Sequence, residues 1–444
     1  MQSRRSFLQA LGAGLTVATL PSGAWAQPKD YKALVCVTLI GGVDSHDCLV
    51  PVSQSAYGSW QRARSAMLQP LDEGQRAREN LLTLTPGGQG MGFVPELSGL
   101  HTLYERGDLA VVANAGPLVE PVTRQAIADK TAVLPPRLAS HNDQRSIWQT
   151  NEPEGATTGW GGRMIDAMAL GGDFSSVSVR RNASFVVGQT TPGLTINPGG
   201  VKLPFGFEER RFSRTGALDD ILRDHFRGVR TVGKGAFEND IIALQRRAYD
   251  TSIQLARLVN DNPAGADAVL EKNPLSEQLA MVARLISVQR QLGVQRQVFS
   301  VFLSKFDTHN NQFRVLPGLQ RTLGDALLAF QNSINAMGVA DQVTTFTISD
   351  FGRTLVSNAS GTDHGWGGHH YVMGGAVKGG RVLGEVPPYE TGHPLDWRRG
   401  AMIPTLSIEQ YGGALGTWFG LDADGLRSVF PRIGNFDADK LALF

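Results

Sequence analysis

The chain has 444 residues, of which 41% are hydrophobic and 19% charged, and its 42 Lys and Arg nearly balance 41 Asp and Glu. So many core-forming residues exclude a disordered protein, and a net charge of +1 excludes the strongly basic surface of nucleic-acid-binding proteins. Glycine is unusually frequent, with 52 residues, but it follows no collagen repeat.

The first 26 residues have the three parts of an export signal. Arg4 and Arg5 precede a weakly apolar stretch over residues 10–20, and small residues at 24 and 26 suit a cleavage site. The paired arginines resemble a twin-arginine signal. We therefore expect the twin-arginine translocase to export the folded chain, which would begin near Gln27 and work in the periplasm or outside the cell. The mature chain would carry a charge of 40 − 41 = −1 and no membrane span.

Two cysteines, Cys36 and Cys48, exclude a cysteine-rich metal site. They could pair in an oxidising compartment. Cys36 lies within an apolar run, however, which is typical of a small buried side chain, and we favour that interpretation.

Short β-branched runs predict strands at residues 34–40, 109–113, 299–303 and 344–348. Helical periodicity appears in the glycine-poor region 237–300, which is either an insertion or a covering layer, and in 321–337. Residues 352–384 instead hold ten glycines, which predicts turns and close backbone contacts. Apolar strands alternating with helices predict an α/β fold: a three-layer α/β/α sandwich with a mainly parallel sheet, in a single domain over residues 27–444.

Polar residues that suit a metal follow several of these strands, and ligands bind beyond the carboxyl ends of parallel strands. Asp and neutral His are ligands that divalent metals accept. The candidates are Asp44, Asp307, His309, Asp350, Asp363 and His364, with His369, His370 and His393 as residues that could approach the same site. An Asx turn that closes the strand is the alternative for Asp307, and for Asp363 and His364 the two interpretations weigh equally.

Ser140 stands at a predicted helix start that runs through Trp148. Either Ser140 or Asn142 can cap that helix. A hydroxyl at a helix start would also suit a nucleophile, because the free amides stabilise a bound anion. A nearby divalent metal is one way to activate such a hydroxyl, and the metal-type residues favour this second interpretation.

Several motifs resemble one exported family. They are the twin-arginine leader, residues 41–44, 140–144, 159–163, 307–309, 349–354 and 361–365. Together they resemble the family known as domain of unknown function 1501 across essentially the whole mature chain. That family is similar to the alkaline phosphatase and sulfatase superfamily, whose α/β/α sandwich holds one or two divalent metals beside a Ser, Thr or modified Cys nucleophile. The resemblance implies an alkaline-phosphatase-like fold.

Position by position, the resemblance implies a role for each candidate. Ser140 matches the nucleophile, with His141 beside it in the catalytic group. The implied metal ligands are Asp44, Asp307, His309, Asp350 and His364. Arg353, Arg145 and Arg163 are the candidates for holding an anionic substrate by bidentate contacts, although each could also be a structural ion-pair partner.

One departure from the superfamily concerns the number of metals. Phe351 stands where the phosphatases usually have a second His after the Asp. The sequence therefore favours a single-metal site over a two-zinc phosphatase, although one or two ions of Zn, Ca, Mn or Mg stay possible.

Two functions follow from these motifs. The first is an exported metal-dependent hydrolase of phosphate or sulfate esters, whose partner is a small anionic ester. The second is a superfamily member without turnover that binds or assembles a component of the cell envelope. A metal-free carbohydrate binder is disfavoured because the aromatic residues form no repeated platform.

Overall fold

A nine-stranded, mainly parallel sheet organises the residues that the computed structural model describes, which are 30–68, 76–200, 235–260, 273–437 and 440–444. The predicted leader lies outside them. The strands are β1 (Lys32–Leu39), β2 (Leu49–Pro51), β3 (Leu82–Thr83), β4 (Met91–Phe93), β5 (Leu109–Gly116), β6 (Ser176–Val179), β7 (Leu194–Ile196), β8 (Arg296–Leu303), β9 (Val343–Ser349), β10 (Gly368–Met373), β11 (Arg381–Leu383), β12 (Asp396–Arg398), β13 (Ala401–Met402) and β14 (Leu406–Ser407).

The large sheet has the order β11-β5-β10-β9-β1-β8-β6-β7, with β14 also paired to β5. Strand β1 runs parallel to both of its neighbours, β8 and β9, and β6 runs parallel to β8 and β7. Among the described strands of this sheet, β10 alone runs against its neighbours. The carboxyl ends of β1, β8, β9 and β6 therefore meet at one edge.

Eleven α-helices are described. They are α1 (Gln54–Ala63), α2 (Ser65–Leu68), α3 (Ser98–Glu105), α4 (Arg124–Ala128), α5 (His141–Thr150), α6 (Trp160–Ala167), α7 (Ala236–Asn260), α8 (Pro274–Ser287), α9 (Gln312–Ala336), α10 (Ile408–Phe419) and α11 (Ala423–Val429). Within the described residues, no helix is both long and apolar enough to span a membrane.

Alternate residues of β1 enter two separate hydrophobic cores, as a strand with period-two side chains requires. Val35 and Val37 pack with helices α3, α8 and α9, whereas Leu34 and Cys36 face α5, α6 and α10. Helices thus cover both faces, and the predicted three-layer α/β/α sandwich is confirmed. Both cysteines are buried and unpaired.

The four predicted strands all form, with ends that differ by a few residues. The glycine-poor region 237–300 supplies covering helices, since Leu255 of α7 and Leu279 of α8 belong to the core on one face. Its last residues are not helical, because β8 already begins at Arg296. Helix α9 begins at Gln312, before the predicted start at 321. The glycine-rich segment contains strands β10 and β11 as well as the predicted turns.

Candidate metal centre

Four side chains converge at the carboxyl edge of the sheet. Asp307 and His309 follow β8, His141 begins α5, and His364 lies in the loop between β9 and β10. Ligand atoms of His141, Asp307 and His364 all lie within 4.8 Å of one another. His309 joins them, since its Nε2 is 3.2 Å from Asp307 Oδ1 and 2.8 Å from His364 Nε2. We call these four residues the metal centre.

The spacing of the ligand atoms of His141, Asp307 and His364 fits a small cation, and His309 approaches from the side of Asp307 and His364. Asp307 Oδ1 lies 3.5 Å from Nε2 of His141 and 3.4 Å from Nε2 of His364. A tetrahedral zinc site with bonds of about 2.0–2.1 Å separates its ligand atoms by ~3.3 Å. Three imidazoles and one carboxylate are also a donor set that suits Zn²⁺ and similar divalent ions.

The other ring nitrogen of each histidine has its own partner. Nδ1 of His364 lies 2.8 Å from the carbonyl oxygen of Ala139, and Nδ1 of His141 lies 2.8 Å from Asp350 Oδ2. These oxygens can only accept, so each Nδ1 must carry the proton and the neutral ring keeps its lone pair on Nε2. Nδ1 of His309 faces Asp363 more loosely, at 3.6 Å.

The Nε2 lone pairs of His141 and His364 are therefore both available on the side of Asp307, to a cation or to a proton carried by His309. Nε2 of His141 is buried and has no hydrogen-bond partner in the described part of the chain. Nε2 of His309 and of His364 approach to 2.8 Å. Burial, with the charges of His141, Arg353 and His309, lowers the pKa of His364 and so favours the neutral form that binds a metal. The residues present thus fit a divalent cation.

Asp307 is held in place by Arg353. Burial disfavours the charged carboxyl, but Arg353 and the nearby His141 and His309 outweigh it, and the pKa of Asp307 is lowered. Both terminal nitrogens of Arg353 lie 3.2 Å from Asp307 Oδ1. Arg353 is itself fully buried and also donates to the carbonyls of Gly41 and Thr362. We expected Arg353 to hold substrate, but its donors serve the protein interior, and it positions Asp307 instead.

Asp44 differs from the expected metal ligand. Its carboxylate forms a buried bidentate pair with Arg64 and also accepts from Nε2 of Gln312 and the backbone N–H of His46. Although burial opposes ionisation, Arg64 outweighs it and lowers the pKa of Asp44. Because these donors already occupy its oxygens, Asp44 is an internal ion-pair partner.

Asp350 and Asp363 act behind the ligands. Asp350 is fully buried, and its Oδ2 accepts from the backbone N–H of Gly41 as well as from His141. Oδ2 thus orients the His141 ring, whereas Oδ1 is buried and has no hydrogen-bond partner among the described residues, so the expected role of Asp350 as a metal ligand stays a prediction. Asp363 accepts from Arg399 through Oδ2 and from Asn358 through Oδ1, the oxygen that also faces His309.

Ser140 is the N-cap residue of α5, and its hydroxyl donates to Asp143 Oδ2 at 2.7 Å. This hydrogen bond is the main cause of the lowered pKa of Asp143. Arg145 on the same helix is partly exposed and lies 3.9 Å from Asp350 Oδ2. Arg163 donates to the carbonyls of Thr150, Thr158 and Val429, so it ties chain segments together and is not placed to hold a substrate.

The remaining histidine candidates lie in the interior. His369 is buried and accepts from the backbone N–H of Asn114 through Nδ1. His370 packs against Trp148, with ring centroids 4.5 Å apart. Burial lowers the pKa of His369 to about 4 and of His370 to about 3. His369 and His370 are neutral core residues on β10, outside the metal centre. Nδ1 of His393 accepts from the backbone N–H of Leu395 in its own loop.

Glycine is required at two positions behind the metal centre. Gly41 has a φ of 118°, and a Cβ there would lie 2.3 Å from the backbone nitrogen of Asp307. Gly42 has a φ of 82°, and its Cβ would lie 2.4 Å from the ring of Phe351. That ring packs against His364 and His141, with centroids 4.5 Å and 4.8 Å apart. Phe351 thus forms an apolar wall of the centre.

Fold and site together describe an α/β/α protein with a His- and Asp-lined centre at the carboxyl edge of its sheet. The sequence matches the family described as Protein of unknown function (DUF1501) over residues 31–396. The protein belongs to this family. A comparison with curated proteins found no match.

Solved structures with a related arrangement are sulfatases and a lipoteichoic acid synthase. "Ps i-CgsB in complex with k-i-k-neocarrahexaose" is 9% identical, with a TM-score of 0.35, covering 92% of this chain and 78% of that one. The PsFucS1 sulfatase from Pseudoalteromonas sp. is 7% identical, with a TM-score of 0.33 and coverages of 89% and 68%. LtaP from Listeria monocytogenes is 8% identical, with a TM-score of 0.31 and coverages of 90% and 75%. At this level of similarity, any conclusion about chemistry must come from the site itself.

Sequence analysis did not find the residues that support the centre. Arg64, which follows α1, and Gln312, the first residue of α9, hydrogen-bond Asp44, and neither gave a signal in the sequence. Ala139 has a φ of 68°, which non-glycine residues seldom adopt, and its carbonyl fixes His364. No sequence pattern marked that conformation.

Proposed function

We propose that this protein is an exported, divalent-metal-dependent hydrolase of phosphate or sulfate esters. The observation that carries the proposal is the convergence of three imidazole nitrogens and one carboxylate oxygen at a partly exposed strand edge. The four side chains are 22% to 46% exposed, so a substrate in solvent can reach them. Export rests on the twin-arginine leader, and the expected partner is a small anionic ester.

His141, His309, His364 and Asp307 would hold the metal, in place of the larger set that included Asp44 and Asp350. A divalent cation supplies positive charge that polarises an ester oxygen and lowers the pKa of a nearby hydroxyl. The chain's own contribution is to aim the ligands, through Asp350 for His141, Ala139 for His364 and Arg353 for Asp307.

Ser140 is the nucleophile in this proposal, because it stands beside His141 at the start of α5. Its oxygen would bond to phosphorus or sulfur as the bond to the ester oxygen breaks, and its proton would pass to Asp143, which already accepts its hydrogen bond at 2.7 Å. The departing alcohol would take that proton. Water would then release phosphate or sulfate and restore the hydroxyl. Arg145, which is partly exposed on the same helix, would hold the anionic group.

Metal content tests the first part of the proposal. Protein exported by its native pathway, then loaded with Zn²⁺, Mn²⁺, Ca²⁺ or Mg²⁺ and dialysed, is expected to retain about one ion per chain by mass spectrometry of its metals. The His364→Ala variant should retain far less, and His370→Ala, which removes a histidine outside the centre, should retain the wild-type amount. Equal metal in all three proteins, or none in any, would contradict the proposed centre.

A panel of phosphate monoesters, phosphate diesters and sulfate esters tests the reaction. Ser140→Ala should abolish turnover while metal content stays unchanged. Ser53→Ala is a matched control, because Ser53 caps α1 through its hydroxyl and lies outside the centre. Turnover that survives Ser140→Ala would contradict the assignment of Ser140 as the nucleophile, but it would not contradict the proposed metal centre.

One observation favours the second function, a component of the cell envelope without turnover. Four protein ligands fill a tetrahedral metal, as in structural zinc sites, whereas catalytic zinc sites keep one position open. Stoichiometric metal without activity anywhere on the ester panel, together with a lower unfolding temperature after chelation, would support this alternative.

A further inference from the structure

An open cavity of about 250 Å³ lies beside the metal centre. Its walls come from Ile40 after β1, Phe302 in β8, residues 181–184 after β6, and α5. It therefore continues along the same carboxyl edge of the sheet, one strand beyond the loop that carries Asp307 and His309. Ligands of parallel α/β sheets bind along this edge, so the cavity is placed to receive another part of a molecule held at the metal centre.

Arg145 joins the cavity to the centre. It lines the cavity, donates to Asn142 Oδ1 at 3.0 Å and lies 3.9 Å from Asp350 Oδ2, the oxygen that also faces His141. The cavity and the centre are therefore linked through Arg145, Asp350 and His141.

Arg181 gives the cavity a second positive charge. Its guanidinium carbon lies 5.5 Å from the centroid of the Phe302 ring, an arrangement that restrains the side chain without using its hydrogen-bond donors. Among the described residues that line the cavity, Glu154 is the one acidic residue, so their charges sum to +1. In the described part of the chain Arg181 has no carboxylate within ion-pair distance, whereas Asp350 lies near Arg145.

The rest of the lining suits a hydroxylated ring. Asn142, Gln149 and Asn182 contribute amides whose oxygens already accept hydrogen bonds within the protein, so their NH2 groups are the donors left for a ligand. Ile40 and Phe302 supply an apolar surface. Amides hydrogen-bond hydroxyls, and apolar side chains pack against the carbon face of a sugar. The cavity thus combines two arginines, amides and an apolar patch.

We propose that this cavity is a subsite for a second anionic group, so that the preferred ligand is a sugar ester with one anionic group at the metal centre and another beside Arg181. The inference rests on the proposed function for the position of the first group. Arginine recognises carboxylate, sulfate and phosphate through the same paired donors, so the shared chemistry of the second group is a planar or tetrahedral oxyanion.

Calorimetric titration of the Zn²⁺-loaded exported protein tests the subsite without requiring turnover. The probes are glucose 6-phosphate, glucose 1,6-bisphosphate and glucuronic acid 1-phosphate. The first has no second anionic group, the second has a second phosphate, and the third has a carboxylate. We expect the doubly anionic sugars to bind about tenfold more tightly, the gain of one charge-assisted contact. Stronger binding of one of the two identifies which oxyanion the subsite takes.

Arg181→Ala should reduce this preference to about twofold and leave the affinity for glucose 6-phosphate unchanged, because one charge-assisted contact is lost. Arg181→Glu should reverse the preference. Arg398→Ala is the matched control, since Arg398 is also exposed and lies over an aromatic ring, that of Trp397, outside the cavity. An equal preference in wild type and both Arg181 variants, or no preference in wild type, would overturn the subsite.

The two proposals fail separately. If the preference is present but no ester is hydrolysed, the cavity is an anion-binding subsite and the hydrolase assignment fails. If esters are hydrolysed but a second anionic group changes neither binding nor kcat/KM, the subsite fails and the hydrolase assignment stands.

Discussion

Two carboxylates that follow neighbouring parallel strands have opposite fates in this protein. Asp44 comes after β1 and Asp307 after β8, and both lie beside a fully buried arginine. The side chain of Asp44 is 0% exposed and is fully engaged by Arg64 and Gln312, whereas that of Asp307 is 46% exposed and faces three imidazoles. A strand-end carboxylate is thus free to bind a metal only where the fold leaves its oxygens without a complete set of internal donors.

The largest effect that we expect is on the stability of the Asp44 pair. Asp44→Ala leaves the Arg64 guanidinium buried without its counter-charge and should lower the free energy of unfolding by about 3–5 kcal/mol. Urea unfolding of the metal-free protein measures this loss. Asp307→Asn, at an exposed carboxylate, should cost less than about 1 kcal/mol under the same conditions. If the two variants are equally destabilised, the contrast between these carboxylates is wrong.

The next effect is on metal affinity, for which we expect Asp307 to matter more than Asp44. Asp307→Asn removes the anionic ligand of the metal centre and should weaken metal binding at least ~100-fold, because a neutral amide replaces a carboxylate. Competition with a chelator of known affinity measures the change. Asp173→Asn is the control, since Asp173 pairs with Arg247 away from the centre. Unchanged affinity in Asp307→Asn would exclude Asp307 as a ligand.

A smaller loss of metal affinity is expected from Asp350→Asn. The substitution keeps the shape of the side chain but removes the carboxylate that fixes the His141 ring, and partners of this kind typically change affinity by about 10–100-fold. The same chelator competition applies, with the nuclear magnetic resonance signals of His141 as a second readout of its protonated nitrogen. Loss of metal as severe as in Asp307→Asn would instead make Asp350 a ligand.

The smallest effect that we expect concerns Glu409. It extends the comparison of Asp44 with Asp307 to a buried carboxylate whose arginine side chain is farther away. Arg432 Nη1 lies 3.9 Å from Glu409 Oε1, and burial outweighs that cation and raises the pKa of Glu409 to about 7. The folded state therefore keeps a proton that the unfolded chain loses above its ordinary glutamate pKa. This contribution to stability is complete below that lower pKa and falls as the pH rises through about 7.

Glu409→Gln should remove this pH dependence. Solvent screening of a partly buried group keeps the expected difference between pH 5 and pH 8 near 1 kcal/mol. Unfolding of wild type and variant at these two pH values provides the measurement. A wild-type protein that gains stability relative to the variant between pH 5 and pH 8 would reverse the predicted sign.

The sequence predicted the layers of the fold because buried parallel strands and covering helices have different hydrophobic periods. It also named all four residues of the metal centre, since each lies in a loop or at a helix start near a strand end. It placed His141 with the nucleophile, however, and Asp44, Asp350 and Arg353 in direct contact with metal or substrate. Those assignments depend on which side chains fill the remaining hydrogen-bonding positions, and local sequence does not contain that information.

What the sequence determined by itself is therefore the sheet, its chemically important edge and the residue types gathered there. Tertiary structure decided which carboxylate has its oxygens filled by internal donors, because Arg64, between α1 and α2, and Gln312, at the start of α9, both reach Asp44. It also decided which imidazole nitrogen is free, through the Ala139 carbonyl and Asp350. The physical reason is that a polar group's role depends on the donors and acceptors around it, and these are brought together only when the chain folds.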